Sequence, residues 1–116
     1  MDQTLDHAYS GRLRQRREQI KLTLGHLETE KRQAESNTEW LDDAAYRRRI
    51  SLLNRVTSWY RTEMTQIENA LNRVRSNQYG LCAACRRPID ARQLEKAPES
   101  EYCFACEKVR HGFTAG

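Results

Sequence analysis

Apolar residues are scarce in this chain. They form 38% of its 116 residues, against 31% charged, too little for a thick globular core. One elongated helical domain fits better, because two helices share a narrow seam. No apolar run approaches the ~18 residues of a membrane span. The opening stretch, "MDQTLDHAYS", lacks an apolar signal core, so a cytoplasmic protein is expected. A βαβ pattern is missing, as are a phosphate loop and a nucleophile–base pair, and the expectation is a protein that is not an enzyme. The formal net charge of +4 permits an acidic partner without demanding nucleic acid.

No cysteine occurs before Cys82. All four lie in the stretch that ends at Cys106, as Cys82-x2-Cys85, seventeen residues, then Cys103-x2-Cys106. Two CxxC pairs separated by ~15–20 residues are a zinc pattern. Each CxxC turn aims two sulfurs at one spot, and two turns supply four thiolates in a tetrahedron, which closes the site around one structural Zn(II). The rivals are two disulfides, disfavoured by a reducing cytosol, a redox CxxC, which belongs in a βαβ unit, and an iron–sulfur cluster. His111 is a weaker ligand candidate than the four thiols. Pro88 and Pro98 mark turns between the pairs, consistent with a short hairpin there. "FACEKVRHG" predicts a brief terminal helix ended by Gly112.

No proline interrupts Tyr9–Ser36. Leu13, Arg17, Ile20, Leu24, Leu27, Lys31 and Ala34 alternate steps of four and three, a heptad seam with two charged interruptions. "SNTEWLDD" breaks the pattern, and Asp42 or Asp43 is placed to cap a new helix. That helix is predicted from Asp43 to Ser76, with a seam of Tyr46, Ile50, Leu53, Thr57, Tyr60, Met64, Ile67, Leu71 and Val74. Trp59 and Val56 lie beside this seam and are expected to widen the core, the alternative being an apolar contact patch near mid-rod. Consecutive helices joined by a short turn pack antiparallel. The expected fold class is therefore mainly α: an antiparallel coiled-coil hairpin over residues 1–78, roughly 40 Å long, with its tip at about 36–44. A four-cysteine zinc finger and short helix follow over residues 79–116.

These residues resemble the DksA/TraR family of bacterial four-cysteine zinc-finger transcription factors. "YGLCAAC" is similar to the family's aromatic-Gly-x-Cys-x2-Cys entry. Ile89, Arg92, Leu94 and Pro98 fall at its spacing between the cysteine pairs, and "ENALNRV" resembles the end of its second helix. At the tip, "EWLDDA" resembles Asp-x2-Asp-x-Ala, with Asp42 and Ala44 matching directly and Glu39 in place of the first aspartate. The resemblance implies a regulator that binds RNA polymerase, with the hairpin in the secondary channel and the tip near the active-site region. Glu39, Asp42, Asp43 and Ala44 are then the partner-binding tip. Trp40 and the basic run Arg47, Arg48 and Arg49 are further candidates. A monomer is expected, with no sequence-specific DNA binding and no membrane.

Two departures from the family pattern concern the head: Arg86 stands where many relatives have glycine, and Lys96 replaces an alanine. Some members also share a (p)ppGpp site with polymerase, built from basic residues. The matching positions here are Gln66, Ala97 and Glu107. A polyanion needs charge-assisted donors, so the resemblance implies action without that nucleotide at the shared site. The competing function is a zinc-finger nucleic-acid-binding protein that grips phosphate with basic helix faces. For Asp42 and Asp43 the competing role is helix capping, and for the arginine run it is a solvated helix face.

Overall fold

The computed structural model describes residues 3–36 and 42–110, with side chains from Ala8 onward in the first helix. Four helices follow in order: α1 (Gln3–Ser36), α2 (Asp43–Arg75), α3 (Ala91–Lys96) and α4 (Phe104–Arg110). The protein is mainly helical, with two long helices in contact and a four-cysteine cluster after them. Helix α1 starts at Gln3, six residues before the start expected from the seam. Local propensity extends a helix past the point where its apolar pattern begins. Glu39, Trp40, His111 and Gly112 lie outside the described residues.

The contacts divide the chain into two compact units, Arg16–Thr65 in one and residues 1–15 with 66–116 in the other. In the first, the arm, Ile20, Ala34 and Leu53 are buried. Leu24, Leu27, Lys31, Tyr46, Ile50, Thr57, Tyr60 and Met64 are half-buried, as is Arg17. Every seam position within the arm is thus covered, so the four–three pattern marks the contact between the helices. The Arg16 guanidinium donates through Nε to Glu63 at 2.7 Å and through Nη2 at 3.0 Å. Arg61 approaches Glu28 at 3.8 Å. Low numbers in α1 meet high numbers in α2, which makes the pair antiparallel.

Trp59 departs from expectation. It is 62% exposed and packs edge-on against Tyr60, so it does not widen the core, while Val56 is half-buried. Position 59 is turned about 100° around the helix from the seam residue Tyr60, enough to carry its ring out to solvent.

The second unit, the base, has a small core of Leu13, Ile67, Ala70, Leu71, Tyr79, Ile89 and Leu94. Asn77 ends α2 in the left-handed conformation, φ 60°. Its N–H reaches the Val74 carbonyl, and the Gln78 N–H reaches that of Arg73 at 2.8 Å, a Schellman exit that satisfies two of the last carbonyls. Between the cysteine pairs the expected hairpin is reduced to one bridge, Leu81 with Pro88. Helix α3 takes the middle of that stretch. Asp90 caps it, its carboxylate accepting the Arg92 N–H at 2.7 Å. The buried Leu94 then holds it to the core.

Tyr79 is fully buried, and its hydroxyl donates to the Pro98 carbonyl at 2.9 Å. Burial pushes this phenol well above the usual tyrosine range. Between the unfolded pKa of about 10 and the raised folded value, only the unfolded phenol ionises. Stability is therefore intact below pH ~10 and falls by about 1.4 kcal/mol per pH unit as pH climbs towards the folded value. In an alkaline titration, the Tyr79 tyrosinate signal is expected to appear with the loss of helical circular dichroism. Full tyrosinate absorbance ahead of that loss would contradict it.

Candidate metal centre and hairpin tip

The metal centre is built by two turns of backbone. At the first, the Cys82 N–H donates to the Arg87 carbonyl at 2.8 Å and the Arg86 N–H to the Cys82 carbonyl at 2.9 Å. This closes a knuckle that sets the Cys82 and Cys85 sulfurs side by side, with the Cys85 N–H 3.5 Å from the Cys82 sulfur. At the second, Cys103 precedes α4 and Cys106 lies within it, so one helical turn supplies the pair. The Ala83 N–H donates to the Glu101 carbonyl at 2.8 Å and ties the two turns together.

All four cysteines are free thiols, and their sulfurs lie within 4.8 Å of one another. The Cys85 and Cys103 sulfurs are 3.8 Å apart. A tetrahedron with metal–sulfur bonds of ~2.3 Å has edges of about 3.8 Å, so the cluster is sized to hold one metal ion. Burial pushes the Cys82 thiol up, but the Cys85, Cys103 and Ala84 backbone groups outweigh it and bring the thiol down to about 6. Cys106 is pushed up to about 12, first by its contact with Cys103 and then with Cys82. Four adjacent thiols do not all ionise alone, and a cation at their centre removes that repulsion.

Three sets of contacts hold this head in place, none of them visible in the sequence pattern. Arg73 of α2 donates to the Leu81 carbonyl at 2.7 Å and to that of Ser100 at 3.4 Å, each shortly ahead of a cysteine pair. Gln93 of α3 donates to the Tyr102 carbonyl at 2.7 Å. Glu95 of α3 accepts the Tyr9 hydroxyl at 2.9 Å and pairs with Arg12 at 3.3 Å. Arg86 has φ 67°, which explains the glycine of the resembled family: the knuckle needs a left-handed residue, where a side chain costs ~1–2 kcal/mol.

At the tip, the Asp42 carboxylate accepts the Ala45 N–H at 2.6 Å and its carbonyl accepts the Tyr46 N–H at 3.0 Å. Asp42 is therefore the N-cap of α2. Asp43 sits in the first turn, where its charge complements the helix dipole. Asp42, Asp43, Ala44, Arg47, Arg48 and Arg49 are all exposed. The arginine run thus sits on the solvent side, with Arg47 donating to the Asp43 carbonyl at 3.3 Å.

Two long antiparallel helices followed by a four-thiol cluster able to hold a metal ion define a helical-hairpin protein with a candidate metal centre. No protein-family model matches the chain. The RNA polymerase-binding transcription factor DksA of Escherichia coli K12 is 29% identical over 95 residues, 82% of this chain. The Salmonella typhimurium protein of the same name matches equally, at 29% over 95 residues. The chain spans 61% of the length of these relatives. The structure of transcription factor DksA2 from Pseudomonas aeruginosa superposes with a TM-score of 0.86 at 20% identity, over 97% of this chain and 88% of that one. The chain is a distant relative of the DksA transcription factors.

Proposed function

We propose that the chain is a non-enzymatic, DksA-like transcription regulator that binds RNA polymerase and alters initiation. The observation that carries this reading is the likeness to factors named for polymerase binding, 29% identity over 82% of the chain, together with a four-thiol cluster on a helical hairpin. Cys82, Cys85, Cys103 and Cys106 hold one structural zinc ion. No position is left open for water, so the metal shapes the head and does no chemistry. The work is assigned to the bacterial cytoplasm, where polymerase is found, and to a monomer. No described helix is long and apolar enough to cross a membrane.

In this reading the hairpin enters the polymerase secondary channel tip first, and Glu39, Asp42, Asp43 and Ala44 meet the active-site region. Trp40, Arg47, Arg48 and Arg49 are further contacts. The capping bond of Asp42 engages one carboxylate oxygen, which leaves its charge for a partner. Asn caps a helix as well as Asp, so Asp42→Asn removes the charge and keeps the cap. The expected result, from capture of purified polymerase beside an initiation assay, is that Asp42→Asn binds but no longer alters initiation. An Asn variant as active as the wild type would assign Asp42 to capping alone.

Action without (p)ppGpp at the shared site forms part of the proposal. Gln66 is exposed, and Ala97 and Glu107 are half-buried; none of the three offers a cationic donor. Addition of the nucleotide should leave the effect on initiation unchanged.

A further inference from the structure

Four exposed side chains of α2 take no part in the hairpin seam or its cap: Arg48, Leu52, Arg55 and Trp59. Their steps of four, three and four put them on one helix face. Leu52 is 52% exposed and Trp59 62%. They stand two turns apart, ~10.5 Å along the helix, with Arg48 and Arg55 repeating the same interval. The Trp59 ring is steadied by Tyr60, edge-on with centroids 4.9 Å apart. Residues 44–62 contain no aspartate or glutamate. Arg48 and Arg55 form no ion pair with any described residue.

Charge decides what kind of surface fits this face. A second copy of the same face is excluded by like charge, since arginine would meet arginine. Phosphate would satisfy the arginines but gain nothing from Leu52, which lies between them. A convex helix face with two apolar anchors is shaped for a groove, and the unpaired arginines on either side call for carboxylates at its rim.

We propose that the Arg48–Leu52–Arg55–Trp59 face docks into an apolar groove rimmed by carboxylates on a protein partner. Resting on the function proposed above, that partner is RNA polymerase. Trp59 is the principal anchor, and Arg48 and Arg55 set the register.

The test uses the metal-loaded full chain and purified core polymerase. Trp59→Ala combined with Leu52→Ser is expected to weaken binding roughly thirtyfold or more, as loss of a tryptophan hot spot does. Its helical circular dichroism and melting should match the wild type, because both side chains are exposed. Arg48→Glu with Arg55→Glu is expected to weaken binding too, by a factor that shrinks as salt is raised. With 7-azatryptophan in place of tryptophan in this chain, emission excited apart from the tryptophans of polymerase should shift to the blue on binding, and Trp59→Phe should remove that shift. Wild-type binding with unaffected variants and no emission shift would overturn the docking face and leave the proposed function standing. Failure of the wild type to bind polymerase would overturn both. A double variant that loses helical signal would mark Trp59 as a packing residue, against the proposal. Single-stranded RNA that quenches Trp59 as tightly as polymerase shifts it would make the occupant a nucleic acid, again against it.

Discussion

Cys82→Ser is expected to abolish metal retention and leave residues 79–110 without fixed tertiary structure. The head has few apolar groups of its own: Tyr79, Cys82, Ile89 and Leu94 are its buried side chains. Helix α3 has six residues and α4 seven, far below the length at which helices persist alone. The metal must supply the balance, and structural zinc contributes on the order of 10–16 kcal/mol in small zinc modules. With one ligand gone, three thiolates remain beside a hydroxyl that is a poor donor to zinc. Three readings check this: metal content by mass spectrometry, near-ultraviolet circular dichroism, and trypsin cleavage after the exposed Arg86 and Arg92. Fast cleavage at those sites in the variant, with a resistant wild type, is the expected pattern. Equal resistance in both would show that the head folds without its metal.

Ile67→Ala should cost about 2–5 kcal/mol in a chemical melt followed by circular dichroism. Ile67 is fully buried, and the neighbouring Ala70 and Leu71 are buried as well, so little around the lost side chain is free to fill its place. Small domains are stable by only ~5–15 kcal/mol, and this one change removes a large share of the margin. Gln66→Ala, one residue earlier on an exposed position, should stay within about 0.5 kcal/mol. A cost below ~1 kcal/mol for Ile67→Ala would mean that the base tolerates a cavity, contrary to the close packing expected of a buried core.

The contrast between residues 66 and 67 also shows what is readable in a sequence. Periodicity is a local signal, and the four–three rhythm picks out Leu13, Ile20, Leu53, Ile67 and Leu71, all of which are buried. Paired CxxC spacing is equally local, and the four sulfurs do converge. Asp42 is legible as a cap because capping involves residues three apart. The Tyr9 and Arg12 contacts with Glu95 are not legible, since they join residues 86 and 83 positions apart and leave no rhythm behind. Helix α3 is hidden because Pro88 suggests a turn, although Asp90 ahead of "ARQLEK" is a cap signal. Trp59 misleads because a large aromatic beside a seam is usually drawn into it. Here the seam is already filled by Tyr60.

Arg73 supplies no sulfur to the cluster, yet it links the two backbone segments that carry its cysteine pairs. Its guanidinium binds the carbonyls of Leu81 and Ser100, so both halves of the site share one anchor on α2. Without such an anchor, a CxxC turn that let go of a bound ion would drift off over the reach of the intervening loop. In the folded head the released pair would stay close, and its effective concentration around a half-bound ion would be high. An arginine outside the site is therefore expected to slow the loss of a metal once the head has closed on it.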